Sequence, residues 1–332
     1  MKKNIDDNKN VVAESPAESS SRDICGDRDS ASNTSSFTLA GKLRDYLILF
    51  KFSLNIMVVF SAVICYLLAP KVVEYNVMMI VFFAIGGFLV TGSANTINQV
   101  VEKDTDAKMK RTAMRPVAAG RMSEAEGWMV AVVSGVAGVA ILGIYFNWLS
   151  AGLALFSLFL YAFIYTPLKK VNSISVLVGA VPGALPCLIG FAAGNDAIFI
   201  DEHGYKDLGG WALFAIQFFW QFPHFWAIAW LAHKDYSNAG FRLLPSVEGP
   251  TKYSAIQSII YSLLLIPVGI LPYFTGISGQ VSLMIVLVAN IFMVWQSVRL
   301  YKEMEPKAAR RVMFSSYIYL PIVFLALLID KM

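Results

Sequence analysis

Asn95, Asn98, Glu102 and Asp106 follow one another at intervals of three, four and four residues in the stretch NTINQVVEKDTDAKMKRTAMRPVAAGR, residues 95–121. On a continuing helix this spacing gathers them into one stripe of oxygen ligands. Carboxylates four apart suit a hard divalent cation, and Mg²⁺ is commonly held by one or two carboxylates together with the phosphate oxygens of a substrate. Lys108, Lys110, Arg111 and Arg115 come next. The two arginines are again four apart, on one face if the segment is helical, and a guanidinium fork fits phosphate or carboxylate oxygens two at a time. A solvated helix end with weak surface ion pairs also accounts for interspersed acids and bases. Asn95 and Asn98 weigh against it: they sit where an apolar run has barely ended, and polar groups near membrane depth line interior cavities.

A second polar cluster lies in WQFPHFWAIAWLAHKDYSNAGFRLLP, residues 220–245. Gln217, Gln221 and His224 are set in an aromatic helix, and Lys234, Asp235, Tyr236 and Arg242 follow it. Pro223 predicts a kink that frees a backbone carbonyl. His224 suits a metal or haem iron, an acid or base, or a hydrogen-bonded place in the bundle. Trp220, Phe222, Phe225 and Trp226 read first as packing or lipid-facing residues. A third segment, YTPLKKVNSISVLVGAVPGALPCLIGF from Tyr165, carries Lys169 and Lys170, its only charges. Positive-inside anchoring explains both, while Gly179, Pro182, Gly183 and Pro186 let the following helix bend and pack closely.

The elements that must position these groups are membrane helices. Of 332 residues 57% are hydrophobic and 15% charged, far from the balance of a soluble domain. Nine apolar stretches of about 20 residues, enough to cross a bilayer, lie near residues 50–70, 77–94, 127–146, 149–165, 173–194, 210–231, 254–274, 281–298 and 312–329. Barrel strands would be shorter and alternating, so the predicted class is all-α and polytopic. Of 27 Lys and Arg, all but Lys71, Lys206 and Lys331 fall on one side of these spans, which puts the N-terminus in the cytoplasm and the C-terminus across the membrane. The same bias removes the basic residues as evidence for nucleic-acid binding.

Residues 1–40 are expected to be a disordered cytoplasmic tail, rich in Ser, Asp, Asn and Lys, and residues 41–332 one transmembrane domain. No apolar stretch follows the first lysines, which argues against a cleaved signal peptide. Cys25, Cys65 and Cys187 have no CxxC spacing, so neither a disulfide framework nor a zinc site is indicated.

Asn98, Glu102 and Asp106, as N-x-x-x-E-x-x-x-D, resemble the first aspartate-rich motif of the UbiA superfamily of intramembrane prenyltransferases. DAKMKRTAMRPVAAGRM, the Tyr165 segment, WQFPHFWAIAW and KDYSNAGFRLLP, in that order over residues 43–328, are similar to its protohaem IX farnesyltransferase branch. The histidine of Q-x-P-H-F is particular to that branch. Two positions depart from the superfamily pattern: Gln99 stands where other branches place an aspartate, and Asp235 is followed four residues later by Ala239, leaving the number of Mg²⁺ ions open. The resemblance implies a nine-helix bundle around a central cavity in a bacterial inner membrane, Mg²⁺ as cofactor, and farnesyl diphosphate and haem B as substrates. The implied reaction moves a farnesyl group to a haem vinyl group, giving the hydroxyethylfarnesyl chain of haem O, with a haem A synthase or a haem-copper oxidase as client. The implied metal ligands are Asn98, Glu102, Asp106 and Asp235. Arg111, Arg115, Lys169, Lys170 and Lys234 would hold diphosphate or a haem propionate. Asn95, Asn98, Tyr165 and His224 are the candidate catalytic residues, His224 as an axial haem contact or as the group that orients water. An aromatic quinone precursor as acceptor, a secondary transporter and a non-catalytic haem scaffold are the alternatives.

Overall fold

A computed structural model describes residues 39–332 apart from Lys170 and Val247. The expected tail therefore lies outside the described residues, except that residues 39 and 40 open the first helix. In chain order the elements are α1 (Leu39–Leu49), α2 (Phe52–Leu68), α3 (Val77–Val101), α4 (Lys103–Asp106), α5 (Glu124–Tyr145), α6 (Trp148–Phe159), a π-helical turn (Leu160–Tyr165), α7 (Thr166–Leu168), α8 (Ser175–Asn195), a 3₁₀ turn (Gly204–Leu208), α9 (Gly209–Leu231), α10 (His233–Asn238), α11 (Lys252–Phe274), α12 (Gln280–Glu303) and α13 (Pro306–Ile329). Among the described residues the only β pairing is an isolated bridge between Ser278 and Lys331.

Seven of these segments are long and apolar enough to cross a membrane, and α1 with α2 supplies an eighth if their 51° bend lies within one span. The ninth predicted span is α9. Its 23 residues suffice in length, but Gln217, Gln221, Pro223, His224 and four tryptophans hold its mean hydropathy down. The helices also outrun their predicted ends on the polar side. The third runs to Val101 rather than stopping near residue 94, and the fifth begins at Glu124 behind a Ser123 cap that accepts from the Glu126 amide.

Two local features shape the polar end. Lys51, between α1 and α2, has φ 49° and ψ 57°, a left-handed backbone that costs a non-glycine residue of order 1–3 kcal/mol. Amides from α3 hold this break. Gln99 Nε2 donates to the Ile48 and Leu49 carbonyls at 3.1 and 2.7 Å, and Asn95 Nδ2 donates to the Phe50 carbonyl at 3.3 Å, so the carbonyls left over at the end of α1 are satisfied. The second feature is the π turn directly before Pro167, a residue with no amide hydrogen to continue an α ladder. Thr166 Oγ1 donates back to the Tyr161 carbonyl at 2.8 Å. By contrast α9 continues through Pro223 as one helix, Gly209–Leu231, packed against α8, α11 and α13.

Close helix packing rests on small residues. A Cβ on Gly190 of α8 would stand 2.0 Å from the Ala62 carbonyl oxygen of α2, and one on Gly138 of α5 would stand 2.8 Å from the Gly86 oxygen of α3. At the end remote from the polar cluster, Lys331 Nζ donates to the carbonyls of Leu67, Ala69 and Val72 at 2.6, 2.9 and 2.6 Å, capping α2.

Candidate active site

The stripe forms, with one member diverted. α3 ends at Val101, Glu102 is the junction, and α4 carries the chain to Asp106, whose amide donates to the Glu102 carbonyl at 2.7 Å. Asn98, Glu102 and Asp106 are all buried. Asn98 Nδ2 donates to Glu102 Oε2, and Lys169 Nζ bridges Asn98 Oδ1 and Glu102 Oε1 at 3.1 Å each. Tyr161 OH donates to the same Asn98 oxygen at 3.1 Å. Tyr165 lays its ring 4.5 Å from the Lys169 ammonium and over Gly179, where a Cβ would meet the ring at 2.4 Å. Asn95, expected among the catalytic groups, has its amide committed to Phe50 and serves the α1–α2 break. Gln99 does the same, which gives a structural use to the position where an aspartate was missing.

Arg111 and Arg115 do not act as a pair, contrary to expectation. Residues 107–122 fold as successive turns with Gly120 at φ 71°, so a four-residue interval no longer puts two side chains on one face. Arg115 Nη1 donates to both Asp106 oxygens at 2.8 and 2.6 Å. Arg111 Nη2 instead donates to Tyr236 OH at 2.7 Å. This bond, with the Arg242 amide donating to the Lys169 carbonyl at 3.2 Å, joins the three sequence clusters at one end of the bundle.

Lys51 was not foreseen as a site residue. Its ammonium feels the charges of Arg115, Lys169, Glu102 and Asp106, so the left-handed break brings Lys51 within electrostatic range of the cluster. Asp106 itself has its carboxyl raised above the usual range by burial, with the Arg115 ion pair opposing the shift. Arg115 and Lys169 against Glu102 and Asp106 set two cations beside two carboxylates in a largely desolvated place, where a polyanion that brings its own divalent cation can be held.

Asp235 is half-buried and Lys234 exposed on α10; among the described residues neither side chain has a polar contact, and neither joins the first cluster. Among the described residues no three His, Cys, Asp or Glu side chains stand together as a metal set. The expected four-ligand group with Asp235 is thus not assembled. Lys169 and Arg115 occupy oxygens of Glu102 and Asp106 in this structure. Two carboxylates and an amide oxygen still fit Mg²⁺, whose remaining ligands come from phosphate and water. Lys170 lies outside the described residues.

His224 occupies a separate place, between α9 and α13. Its Nδ1 is 2.8 Å from Ser316 Oγ, and its ring stacks on Trp220 at 4.6 Å. Gln221 points the other way, with Nε2 donating to the Ala180 and Gln217 carbonyls at 3.0 and 3.1 Å and its carbonyl oxygen filling the space that Gly183 leaves open.

Residues 58–326 match the UbiA prenyltransferase family. The chain is 43% identical over 293 residues to a protein of Cytophaga hutchinsonii named protoheme IX farnesyltransferase, covering 88% of this chain and 99% of that one. A protein of the same name from Flavobacterium johnsoniae is 40% identical, with 86% and 94% covered. Among solved structures, a digeranylgeranylglyceryl phosphate synthase superposes with a TM-score of 0.71 at 19% identity, covering 87% of this chain and 98% of that one. A UbiA homolog from Archaeoglobus fulgidus bound to GPP and Mg²⁺ superposes with a TM-score of 0.57 at 14% identity, covering 85% and 99%. With its apolar helices, its buried polar end and these matches together, the chain is an integral membrane protein that belongs to the UbiA prenyltransferase family.

Proposed function

We propose that this protein transfers the farnesyl group of farnesyl diphosphate to a vinyl group of haem B, giving haem O. One observation carries the reading: Asn98, Glu102, Asp106, Arg115 and Lys169 converge at one end of an apolar bundle, in a chain similar over 88% of its length to a protein named for that activity.

Lys169 and Arg115 bind the diphosphate oxygens, displacing the internal ion pairs that hold them now, and Lys51 adds a further cation. Asn98, Glu102 and Asp106 would hold Mg²⁺, as the homolog bound to GPP and Mg²⁺ suggests for the superfamily; the ion's contribution is charge stabilisation on the leaving group. Lys234 and Asp235, on α10 after α9, add to the diphosphate end when the substrate is bound. As the allylic carbon–oxygen bond breaks, the electron pair leaves with diphosphate, and cations placed in advance stabilise it without reorganising. The ring of Tyr165 holds the Lys169 ammonium in position. The vinyl carbon of haem then bonds to the allylic carbon, and water adds to the cation left beside the porphyrin, losing a proton. Apolar walls keep water from the first cation. Arg111, turned away from the carboxylates, suits a haem propionate, and His224 is the haem contact.

The charge bias supports a polar end that faces the cytoplasm; the membrane would be a bacterial inner membrane, and a haem A synthase or haem-copper oxidase would take the product. The test is the acceptor dependence of diphosphate release from purified protein. Release stimulated by haem B and not by a hydroxybenzoate supports the reading, and the reverse preference refutes it.

A further inference from the structure

The surroundings of His224 specify which of its nitrogens carries hydrogen. Ser316 Oγ donates to the Met313 carbonyl at 2.6 Å and also lies 2.8 Å from His224 Nδ1. A serine hydroxyl has one hydrogen and two lone pairs. With that hydrogen on Met313, Ser316 can only accept, so Nδ1 supplies the proton. The acceptor is itself fixed: the Ser316 carbonyl takes the Trp220 indole N–H at 2.9 Å. Trp220 also stacks on the imidazole with 16° between planes, while Tyr317 meets it edge-on at 5.2 Å and 68°. The ring is thus held on its faces and at Nδ1. Its Nε2 has no hydrogen-bond partner among the described residues.

We propose that Ser316 is a positioning residue that holds His224 in the Nδ1–H tautomer and so keeps the Nε2 lone pair available to the iron of haem B. This rests on the reading of haem as acceptor. A histidine ligates iron through an unprotonated nitrogen, and the hydrogen bond at the other nitrogen decides which one is available. The opposite tautomer would place a hydrogen where the iron must bond. Ser316 lies 92 residues from His224 in sequence and on another helix, so the contact also fixes the register of α13 against α9.

The test uses the full chain in detergent micelles with ¹⁵N-labelled histidine and no haem. There are three histidines, and the His224 resonances are those lost in His224→Ala. The expected spectrum has a pyrrole-type shift at Nδ1 and an imine-type shift at Nε2. Ser316→Ala should mix or invert the two, and Ser316→Thr, which keeps the hydroxyl, should restore them. An imine-type Nδ1 in the unmodified protein, or an unchanged spectrum in Ser316→Ala, overturns the assignment. For the iron contact, ferric haem B is titrated in and followed by its Soret band. Ser316→Ala should weaken binding about tenfold, the low end of what loss of a hydrogen bond to a metal-bound histidine costs, with Ser316→Thr close to the unmodified protein. His224→Ala should lose the axial signature, and added imidazole should restore it. An identical haem spectrum in His224→Ala overturns the iron contact. Failure of the haem-prenylation reading shows separately, as diphosphate release that ignores haem.

Discussion

Asp106→Asn separates catalysis from stability. The Asp106 side chain is fully buried and that of Arg115 is 20% exposed, with one guanidinium nitrogen 2.6 and 2.8 Å from the two carboxylate oxygens. Burial, together with the Glu102 charge, raises the Asp106 carboxyl against the opposing Arg115 ion pair, and the net shift is upward, so the folded protein is less tolerant of the charged form than water is. Asparagine removes that penalty, keeps an oxygen for Arg115, and leaves a cation that still reaches solvent. The melting temperature in chelator at neutral pH should therefore stay level or rise. Turnover should fall. If the carboxylate helps to neutralise the leaving diphosphate, its loss removes about 3–4 kcal/mol of transition-state stabilisation, and at about 1.4 kcal/mol per decade kcat drops roughly 10²- to 10³-fold at saturating Mg²⁺. The assay pairs haem-dependent diphosphate release with a thermal melt of the same preparation. Turnover within about threefold of the unmodified protein would refute the assignment. So would a loss of activity accompanied by unfolding, because Asp106 would then be a structural partner of Arg115.

The same group gives a pH dependence. A folded carboxyl raised above its ordinary value means the native state binds more protons, so stability relative to Asp106→Asn should be highest below the ordinary carboxylate range and decline as pH rises through the folded value; melts against pH in chelator check this. Lys169→Met removes a charge-assisted bond of about 1.5–3 kcal/mol and should raise KM for farnesyl diphosphate by about 10- to 100-fold in initial-rate assays. Gly190→Ala drives a methyl against the Ala62 carbonyl of the facing helix, and should cost about 1–3 kcal/mol, read as a lower denaturation midpoint. Gly179→Ala displaces the Tyr165 ring and should lower kcat with little change in the melt.

The sequence made the spans legible because apolar length is a local property, and it made Asn98, Glu102, Asp106 and Lys169 legible because three lie on one helical stripe and the fourth is one of two charges in its connection. What escaped it depends on geometry between segments. Nothing in the residues around Lys51 marks a left-handed break, which is held by amides from α3 some 45 to 51 residues away in sequence. The arginine pairing failed because the four-residue rule needs a helix, and residues 107–122 are turns. Asn95 and Gln99 have the chemistry of a polar site, yet their amides are spent on backbone carbonyls. The π turn at Leu160–Tyr165 follows from Pro167 only once the helix is known to continue into it. Ser316, a single hydroxyl in an apolar helix, becomes visible only when α13 is laid against α9.

The measurement that bears most directly on the central claim is the mass of haem extracted after incubating the purified protein with haem B, farnesyl diphosphate and Mg²⁺, with and without chelator. A haem carrying the added hydroxyethylfarnesyl group, formed only without chelator, is the predicted result. Unmodified haem from folded protein that releases diphosphate would contradict it.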